Sequence, residues 1–541
     1  MIRRPSFLRR VTTRAVLAGL VLPGLLLTAA CVQHFIVPDV VEVNPRQAPG
    51  SYSVKTPLKV HLLDGSTVVF KSGAAIRSDR IDGVGQRFAL LSGTSVPASV
   101  VRMDSVVGVE AFVEKTLVAP TLVVSAAATA IGVIALAGLA VAVFGSCPTV
   151  YADTPRGLEL EAEGFSYAIS PLMEHRDLDA LRLQPDARGV LRLELRNEAL
   201  ETHFINQVEV VAVRHAPGAR VVPDQGGHPI AVSGFARVTG ARDRAGRDVR
   251  AALAERDGRL FSTHPATVGA AQEGDLDDWI DLDVADLPPG DSIAVVLRMR
   301  NSLLNTVLLY EGMLGGRDAP DFLGNDLQHI GKTVDFARWY VRTMGMRLSV
   351  DGVPLAANEP FEGHARLGDI GPIAYRDVAV VLPRPRTDAA GARVRLRFVA
   401  DNWRIDEVRV AGAITRPEYT TLAVDSVIVP TPAVGSGPTL DAAAVPAIAA
   451  ADERYLETRP GQRMTLVFHP DAAAARDTTS TYLIAWQGWY REWIRPGWLA
   501  TPKRTEPFVP GDAAVLTALR SWTSQKDAFE RAFYSTSIPV R

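Results

Sequence analysis

The feature that most constrains the fold is a run of 37 residues without a charged side chain, from Thr116 to Ala152. Within it, residues 121–144 are long enough to cross a bilayer, because a transmembrane helix needs about 20 mostly apolar residues. Many of these residues are Ala or Gly, which lets helices pack closely in lipid. We therefore predict a membrane-associated helix here. The alternative is a helix buried in protein between two flanking domains.

The N-terminus has the three-part form of a secretory signal. Residues 1–30 contain five arginines and no acid, then an apolar core, then small residues before Cys31. The stretch from Leu27 to Cys31 resembles the bacterial lipobox, in which the cysteine thiol is joined to diacylglycerol and becomes the mature N-terminus. The resemblance implies lipid attachment at Cys31 and a body in the periplasm or at the cell surface. Because Val32 follows, it implies the outer membrane in a bacterium with two membranes. The alternative for Cys31 is an ordinary buried thiol.

Charge and cysteine content exclude several classes of protein. Removal of residues 1–30 leaves 53 basic and 60 acidic side chains, a net charge of −7, so we expect no nucleic-acid partner. The chain has two cysteines, Cys31 and Cys147, which rules out a cysteine-based zinc site within one chain. The only intrachain disulfide available would join these two residues.

Short alternating segments separated by Gly and Pro dominate the rest of the chain. Residues 58–63 alternate, Asp64-Gly65 is a two-residue hairpin signal, and residues 66–70 return as a strand. The sequence thus predicts a mainly β fold with helical decorations: a small SH3-like or Sm-like barrel, a hydrophobic helix and β-sandwich modules. The predicted segments are a lipoprotein-type signal peptide (1–30), a linker (31–57), a small β-barrel (58–115), a hydrophobic membrane-associated helix (116–152), a β-sandwich module (153–300), a helical insert (301–345), sandwich or jelly-roll-like strands (346–415) and a C-terminal β/α region with a Trp-rich segment (416–541).

Three motifs carry a resemblance that covers most of residues 55–541. They are Phe-Gly-Ser-Cys-Pro-Thr-Val-Tyr at 144–151, Arg-Met-Arg-Asn-Ser-Leu-Leu-Asn-Thr-Val at 298–307 and Trp-Arg-Ile-Asp-Glu-Val at 403–408. Together they resemble an uncharacterised family of bacterial envelope proteins of the lipoprotein type. The resemblance implies an architecture and brings no known activity with it.

Acidic and histidine residues offer few candidates for metal ligands. Seven acids crowd residues 273–286 and could bind calcium, but residues 279–284 alternate, which favours an edge strand whose acids face water. Asp406 and His61 lie in alternating strands, where we expect each of them to face solvent. The sequence therefore predicts no metal site and no cofactor.

Aromatic residues concentrate near the C-terminus. Four of them fall at helical spacing and would form one aromatic face, namely Trp486, Trp489, Tyr490 and Trp493. Such a face could stack on sugar rings or lie at a membrane interface, although core packing is the default interpretation. The charged neighbours Arg491, Glu492 and Arg495 would then form the solvated side of the helix.

No catalytic signature is present: the sequence lacks a His-Glu-x-x-His motif, a Gly-x-Ser-x-Gly elbow and a phosphate-binding loop. The leading prediction is a non-catalytic, lipid-anchored envelope protein that acts as a binding or assembly module, with membrane lipid and an envelope protein or glycan as partners. One alternative is an extracytoplasmic hydrolase acting on envelope polymer or glycan. Another is a two-span membrane protein with a cytoplasmic body. Convergent polar groups with shifted pKa values in a cleft would favour the hydrolase.

Overall fold

The computed structural model describes most of the chain after residue 50. The described residues are 51–55, 57–64, 66–88, 95–111, 122–123, 147–154, 157–314, 319–324, 326–350, 365–384, 391–430, 439–470, 479–495, 499 and 508–535. Cys31 and nearly all of the predicted membrane helix at 121–144 lie outside them. Among the helices that are described, none combines the length and the apolar character that a membrane span requires.

Seven strands at the start of the described chain form one antiparallel sheet. They are β1 (Ser51–Val54), β2 (Leu58–Leu62), β3 (Thr67–Phe70), β4 (Ala74–Arg77), β5 (Arg80–Phe88), β6 (Ser95–Arg102) and β7 (Val106–Ala111). Their order is β1-β4-β5-β3-β2-β7, with β6 beside β5. A 3-10 turn at Met103–Ser105 leads β6 into β7, which returns beside β2. The sheet curls into a half-barrel, and the predicted first hairpin, formed by β2 and β3, is confirmed.

The remaining strands follow in chain order. The next are β8 (Leu122–Val123), β9 (Thr149–Thr154), β10 (Gly157–Glu163), β11 (His175–Ala180), β12 (Leu191–Arg196) and β13 (Glu201–Arg214). Ten more are β14 (Arg220–Pro223), β15 (Pro229–Phe235), β16 (Arg237–Asp243), β17 (Asp277–Ala285), β18 (Ser292–Asn301), β19 (Met346–Val350), β20 (Ala365–Leu367), β21 (Arg376–Pro383), β22 (Ala392–Val399) and β23 (Trp403–Thr415). The last are β24 (Tyr419–Ala423), β25 (Ser426–Val429), β26 (Thr439–Leu440), β27 (Leu456–Thr458), β28 (Arg463–Phe468) and β29 (Ser480–Glu492).

These strands build two β-sandwiches, one inserted into the other. In the first sandwich, a sheet ordered β10-β9-β12-β28-β25-β26 shares a core with one ordered β11-β29-β13-β27-β8, and β24 also pairs with β13. In the second sandwich, a sheet ordered β14-β15-β23-β18-β21 packs on one ordered β16-β17-β22-β19-β20. All strands of the second sandwich lie in sequence between β13 and β24. The predicted mainly β class is confirmed.

Seven α-helices decorate the sandwiches in the described chain. They are α1 (Arg250–Leu253), α2 (Pro265–Gln272), α3 (Leu304–Val307), α4 (Ala319–Gly324), α5 (Ile330–Met344), α6 (Ala444–Ala447) and α7 (Asp512–Ser535). A π-helical segment, Leu308–Leu314, continues α3, and 3-10 turns occupy Pro171–Met173 and Asp326–Gln328. Helix α5 forms because its apolar side chains recur at helical spacing, and it buries Phe336 and Trp339 in the core that the first sandwich shares with the half-barrel.

The two sandwiches are joined by apolar contacts and by buried charge. Leu178 and Val211 of the first sandwich pack with Val221 of β14. Beside them, the Arg376 guanidinium of β21 reaches across to β11, where it lies 2.5 Å from an Asp179 oxygen. Since this ion pair is largely removed from water, the loss of one partner would leave an uncompensated charge at the junction.

Strand β17 corrects the expectation for the acidic segment. It is not an edge strand, because it lies between β16 and β22. Its alternating acids do face outward, but they meet arginines of β22: Asp281 pairs with Arg395 at 2.6 Å, and Asp283 pairs with Arg393 at 2.8 Å. Within the described residues, no group of three or more His, Cys, Asp or Glu side chains is arranged to hold a metal ion.

Candidate functional site

A small pocket lies where the first sandwich meets helices α3 and α5 and the loop before β21. Its volume is about 60 Å³. Its walls are partly apolar and partly polar, and they come from segments far apart in sequence. The lining residues are Cys147, Glu163, Ser166, Tyr167, Ile169, Met173, Asn305, Thr306, Leu309, Tyr310, Met313, Phe336, Tyr340, Asp369, Pro372 and Tyr490.

Glu163 enters the pocket from the last position of β10. The chain turns sharply after it: Gly164 packs on Trp486 so tightly that an added Cβ would lie 2.5 Å from the indole. Phe165 then takes a φ of +37°, and its backbone N–H donates to an Asp177 oxygen at 2.6 Å. This bend fixes the direction in which the Glu163 side chain leaves the strand.

One carboxyl oxygen of Glu163 accepts two hydrogen bonds, and the other has no hydrogen-bond partner among the described residues. Oε2 accepts hydrogen bonds from the backbone N–H groups of Ile373 at 2.7 Å and Ala374 at 3.0 Å. Oε1 is buried and has no hydrogen-bond partner among the described residues. Burial, reinforced by the nearby Asp369 carboxylate, raises the pKa of Glu163 to about 8, although the two N–H donors and Arg376 act in the opposite direction. At neutral pH this carboxyl group is therefore mostly protonated.

The loop that holds Glu163 depends on a glycine. Gly371 has a φ of +90°, and a Cβ there would lie 2.4 Å from Cδ of Glu163. The loop is also fastened to the end of β18, because the N–H groups of Ile370 and Gly371 both donate to Oδ1 of Asn301. A side chain at position 371 would push the loop away and break the bonds to Glu163.

Asp369 lies on the same loop and faces the helices. Its Oδ2 accepts from the Tyr340 hydroxyl at 2.5 Å and from the Asn305 amide nitrogen at 2.9 Å, and its Oδ1 accepts from the Gly371 N–H. Burial raises the pKa of Asp369, while these three hydrogen bonds limit the rise. Across the described chain, neither Asp369 nor Glu163 has a Lys or Arg side chain within ion-pairing distance.

The orientation of Asn305 follows from its contact with Asp369. A carboxylate accepts hydrogen bonds, so the amide nitrogen must face Asp369 and the amide oxygen must face the other way. That oxygen, Oδ1, is buried and has no partner among the residues that are described. Two oxygens of the pocket residues, Asn305 Oδ1 and Glu163 Oε1, thus have no hydrogen-bond partner among the described residues, and the second becomes an acceptor when Glu163 ionises.

Aromatic rings and one thiol complete the walls. Phe336 and Tyr340 lie on α5 with ring centroids 5.8 Å apart, and Tyr167 stacks on His175 at 3.9 Å. Cys147 is the other residue of interest, but burial, followed by the surrounding carboxylates, raises the pKa of its thiol well above the ordinary value. Because the thiolate is the nucleophilic form, this cysteine is inert at neutral pH.

A second buried cluster stands behind the pocket. The Tyr310 hydroxyl donates to Glu492 Oε1 at 2.9 Å, and Arg495 donates to the same oxygen at 2.6 Å. Burial and the neighbouring Glu492 raise the pKa of Glu201 well above its ordinary value, so these carboxyls share a proton. The expectation that Glu492 and Arg495 are solvated is therefore wrong: their backbone lies in or next to a central strand, and helical segments cover them.

The predicted aromatic face is a strand, not a helix. Trp486, Trp489 and Tyr490 lie in β29, and Trp493 follows its end. Alternation sends Trp486 and Tyr490 to one face of the sheet and Trp489 to the other. All four side chains are buried, with exposed fractions between 0% and 6%. Only Tyr490 lines the pocket.

The partners of these rings differ. The Trp486 indole nitrogen donates to Asp179 at 3.2 Å, and the Trp489 ring stacks on Phe204 at 4.0 Å. Trp493 stacks on His61 of the half-barrel, with ring centroids 3.7 Å apart. The four residues thus contact three different parts of the protein and share no common surface.

Two further expectations of solvent exposure are wrong. His61 is buried against Trp493, its Nε2 lies 2.6 Å from Glu110 Oε1, and burial lowers its pKa to about 4. Asp406 is also buried, and it accepts from Arg298 at 3.2 Å and from the Gly258 N–H at 3.0 Å. In both cases another element covers the outer face of the strand.

The pocket residues carry no linear signal. Glu163, Asn305, Tyr340 and Asp369 are separated by up to 206 residues, and each is an ordinary residue in its own segment. The one local hint is Gly368-Asp-Ile-Gly-Pro372, a turn-rich sequence in which two glycines flank an acid.

Comparison with known proteins adds little. No family model matches the sequence, and no curated protein matches it. Among solved structures, a family GH31 alpha-xylosidase from Xanthomonas citri is similar at 9% identity, over 83% of this chain and 38% of that chain, with a TM-score of 0.13. The chain thus spans well under half the length of that enzyme, and a similarity this low supports no conclusion. The resemblance to an envelope family stays a prediction.

Proposed function

We propose that the protein is a non-catalytic, lipid-anchored protein of the bacterial cell envelope whose body binds a ligand in the pocket between Glu163 and Asp369. The single observation that supports binding is the pair of buried oxygens there without a hydrogen-bond partner among the described residues, Glu163 Oε1 and Asn305 Oδ1. A buried acceptor without a donor costs about 1–3 kcal/mol, so a ligand that supplies donors gains that free energy.

Three features favour binding over catalysis. Both carboxyl groups are held by framework donors, which suits a rigid recognition site. The pocket has room for a group of a few atoms, not for a sugar ring flanked by two catalytic groups and a water. The thiol of Cys147, the one strong nucleophile by type, is buried and protonated.

The anchor is tested in the intact cell. In the lipoprotein interpretation, Cys31→Ala abolishes incorporation of a fatty-acid probe, because the thiol is the site of acylation. The folded body is unaffected, since the change lies outside the cores described above. Undiminished labelling of the variant would contradict the anchor. The serine substitution at the buried Cys147 is the matched control and should leave labelling unchanged.

One observation favours the hydrolase alternative. A carboxyl group with a pKa of about 8 next to a second carboxylate is what a general acid requires. The two functions separate when the full chain is incubated with purified envelope glycan. A binding module sediments with the glycan and releases no soluble fragments. Fragment release that disappears in Glu163→Gln would replace our proposal with the hydrolase.

A further inference from the structure

We propose that the pocket recognises a primary ammonium group; this inference rests on the proposed binding function and names its ligand class. The geometry that points to it is the convergence of two carboxyl groups and one amide oxygen on a cavity of about 60 Å³ with aromatic walls.

The first step concerns charge. Other buried carboxylates of this protein have a cation beside them: Asp179 has Arg376 at 2.5 Å, and Glu492 has Arg495 at 2.6 Å. The carboxyl oxygens of Glu163 and Asp369 accept hydrogen bonds only from neutral donors in the part of the chain that is described, although the Arg376 guanidinium donates to the backbone carbonyl of Glu163 at 3.2 Å. Because a buried carboxylate is stabilised by an opposite charge, this pocket is a place where the protein leaves room for a cation.

The second step concerns hydrogen bonding. Asn305 Oδ1 is an acceptor, and Glu163 Oε1 becomes one when the carboxyl group ionises, so a ligand that pairs with both must donate. A primary ammonium carries three N–H donors, which matches Glu163 Oε1, Asn305 Oδ1 and the remaining acceptor capacity of Asp369. A neutral hydroxyl donates once and would leave at least one of these acceptors without a partner.

The third step concerns the walls and the size. Phe336, Tyr340 and Tyr490 line the cavity, and aromatic faces attract cations within about 6 Å. The volume is enough for an ammonium head and one or two methylene groups, because a single water needs roughly 10–15 Å³ on this measure. A quaternary ammonium is larger and has no N–H, so it fits neither the space nor the acceptors.

Binding should also move a proton. Asp369 faces Glu163 and disfavours its ionised form, whereas Arg376 and the N–H groups of Ile373 and Ala374 favour it. A bound cation also favours the ionised form of Glu163, so Glu163 loses its proton when the amine binds. Affinity should therefore rise as the pH approaches 8, and the bound complex should release protons to the buffer.

The experiment is isothermal titration calorimetry on the full chain in detergent micelles, with n-propylamine against n-propanol and tetramethylammonium. We expect heat of binding for propylamine alone, with an enthalpy that changes with the ionisation enthalpy of the buffer. Equal binding of propanol, or no binding of propylamine, would overturn the ammonium assignment. Water would then be the partner of the two acceptors. Sedimentation with envelope glycan would still report separately on the binding function.

Variants locate the site. Asp369→Asn removes the charge and Asn305→Leu removes the acceptor, and we expect each to weaken propylamine binding about tenfold or more. Asp335→Asn, an exposed change on the same helix as Tyr340, is the matched control and should bind as the parent does. Melting temperatures identify a variant that fails to fold. If one variant does not fold, the affinity of the other variant for propylamine tests the site. Unchanged affinity in both folded variants would place the amine elsewhere.

A second pair of ligands tests which kind of molecule carries the ammonium group. Glucosamine and N-acetylglucosamine share a ring and differ in whether the nitrogen is charged. Binding of glucosamine as well as propylamine, without binding of N-acetylglucosamine, would identify an amino sugar as a carrier. Binding of propylamine but not glucosamine would restrict the site to an ammonium on an unbranched chain.

Discussion

Replacement of Glu163 by glutamine should make the folded protein more stable, by an amount that grows with pH. Burial raises the pKa of this carboxyl from an ordinary 4.5 to about 8. Between these values the folded protein keeps a proton that the unfolded chain has lost, so stability falls as the pH rises. Each pKa unit corresponds to about 1.4 kcal/mol, which gives a penalty of roughly 5 kcal/mol above pH 8.

Glutamine removes that penalty without removing the hydrogen bonds. Its side-chain oxygen can accept from the Ile373 and Ala374 N–H groups as Glu163 Oε2 does. The two proteins should therefore be similar near pH 4.5, where Glu163 is protonated in the folded parent and about half protonated in the unfolded chain, a contribution of only about 0.4 kcal/mol. Glu163→Gln should be more stable than the parent by about 3 kcal/mol at pH 7 and by nearly 5 kcal/mol at pH 9.

The measurement is guanidinium-induced unfolding of parent and variant at pH 4.5, 7 and 9, followed by tryptophan fluorescence. Glu159→Gln, a partly exposed position on the same strand, controls for the loss of a negative charge. A free-energy difference between parent and variant that is the same at all three pH values would refute the reasoning. So would a variant that is less stable than the parent at pH 9.

Three further variants test the junctions, each by its free energy of unfolding. Trp493→Ala should cost about 3–5 kcal/mol, because it empties the buried contact with the half-barrel; a melting temperature within a degree of the parent would contradict this. Arg376→Ala should cost a similar amount, since it removes the arginine that Asp177 and Asp179 share, and the loss should shrink at acidic pH, where these carboxyls take up protons. Trp522→Phe should cost about 1–3 kcal/mol by removing the donor to a buried aspartate, and a neutral result would show that this bond is dispensable.

Secondary structure could be predicted wherever one face of a strand is exposed. β17 has buried and partly exposed residues in strict alternation, and the sequence shows that pattern directly. The hairpin of β2 and β3 was equally readable, because Asp64-Gly65 specifies a tight turn between two alternating runs. In both cases the signal lies within a few consecutive residues of the sequence.

The aromatic segment shows where that logic fails. β29 pairs with β11 on one side and β13 on the other, and nearly all its residues are buried on both faces. A strand of this kind loses its alternation, so large residues at 486, 489, 490 and 493 fit a helical period by coincidence. Length and β-branched content give no help, because the segment is long and contains few β-branched residues.

Burial of polar side chains was the least predictable property. His61 and Asp406 occupy positions that alternate with apolar residues, which normally indicates solvent. What covers them comes from elsewhere: Trp493 packs on His61, and the loop at Gly258 donates to Asp406. Alternation shows that a strand has an apolar face and a polar face. It does not show whether another element of the protein covers the polar face.

The pocket depends on the same long-range assembly, and this links ligand binding to stability. Glu163 belongs to the first sandwich, whereas Asp369 lies on a loop of the second, which is inserted between β13 and β24. The two carboxyls come together only when the sandwiches are docked. A ligand that pairs with both binds the docked state alone, and it stabilises that state by about 2.7 kcal/mol at a concentration one hundred times its Kd. Arg376 and the ligand would then hold the junction together from adjacent sites, so a ligand at saturating concentration should restore part of the stability that Arg376→Ala removes.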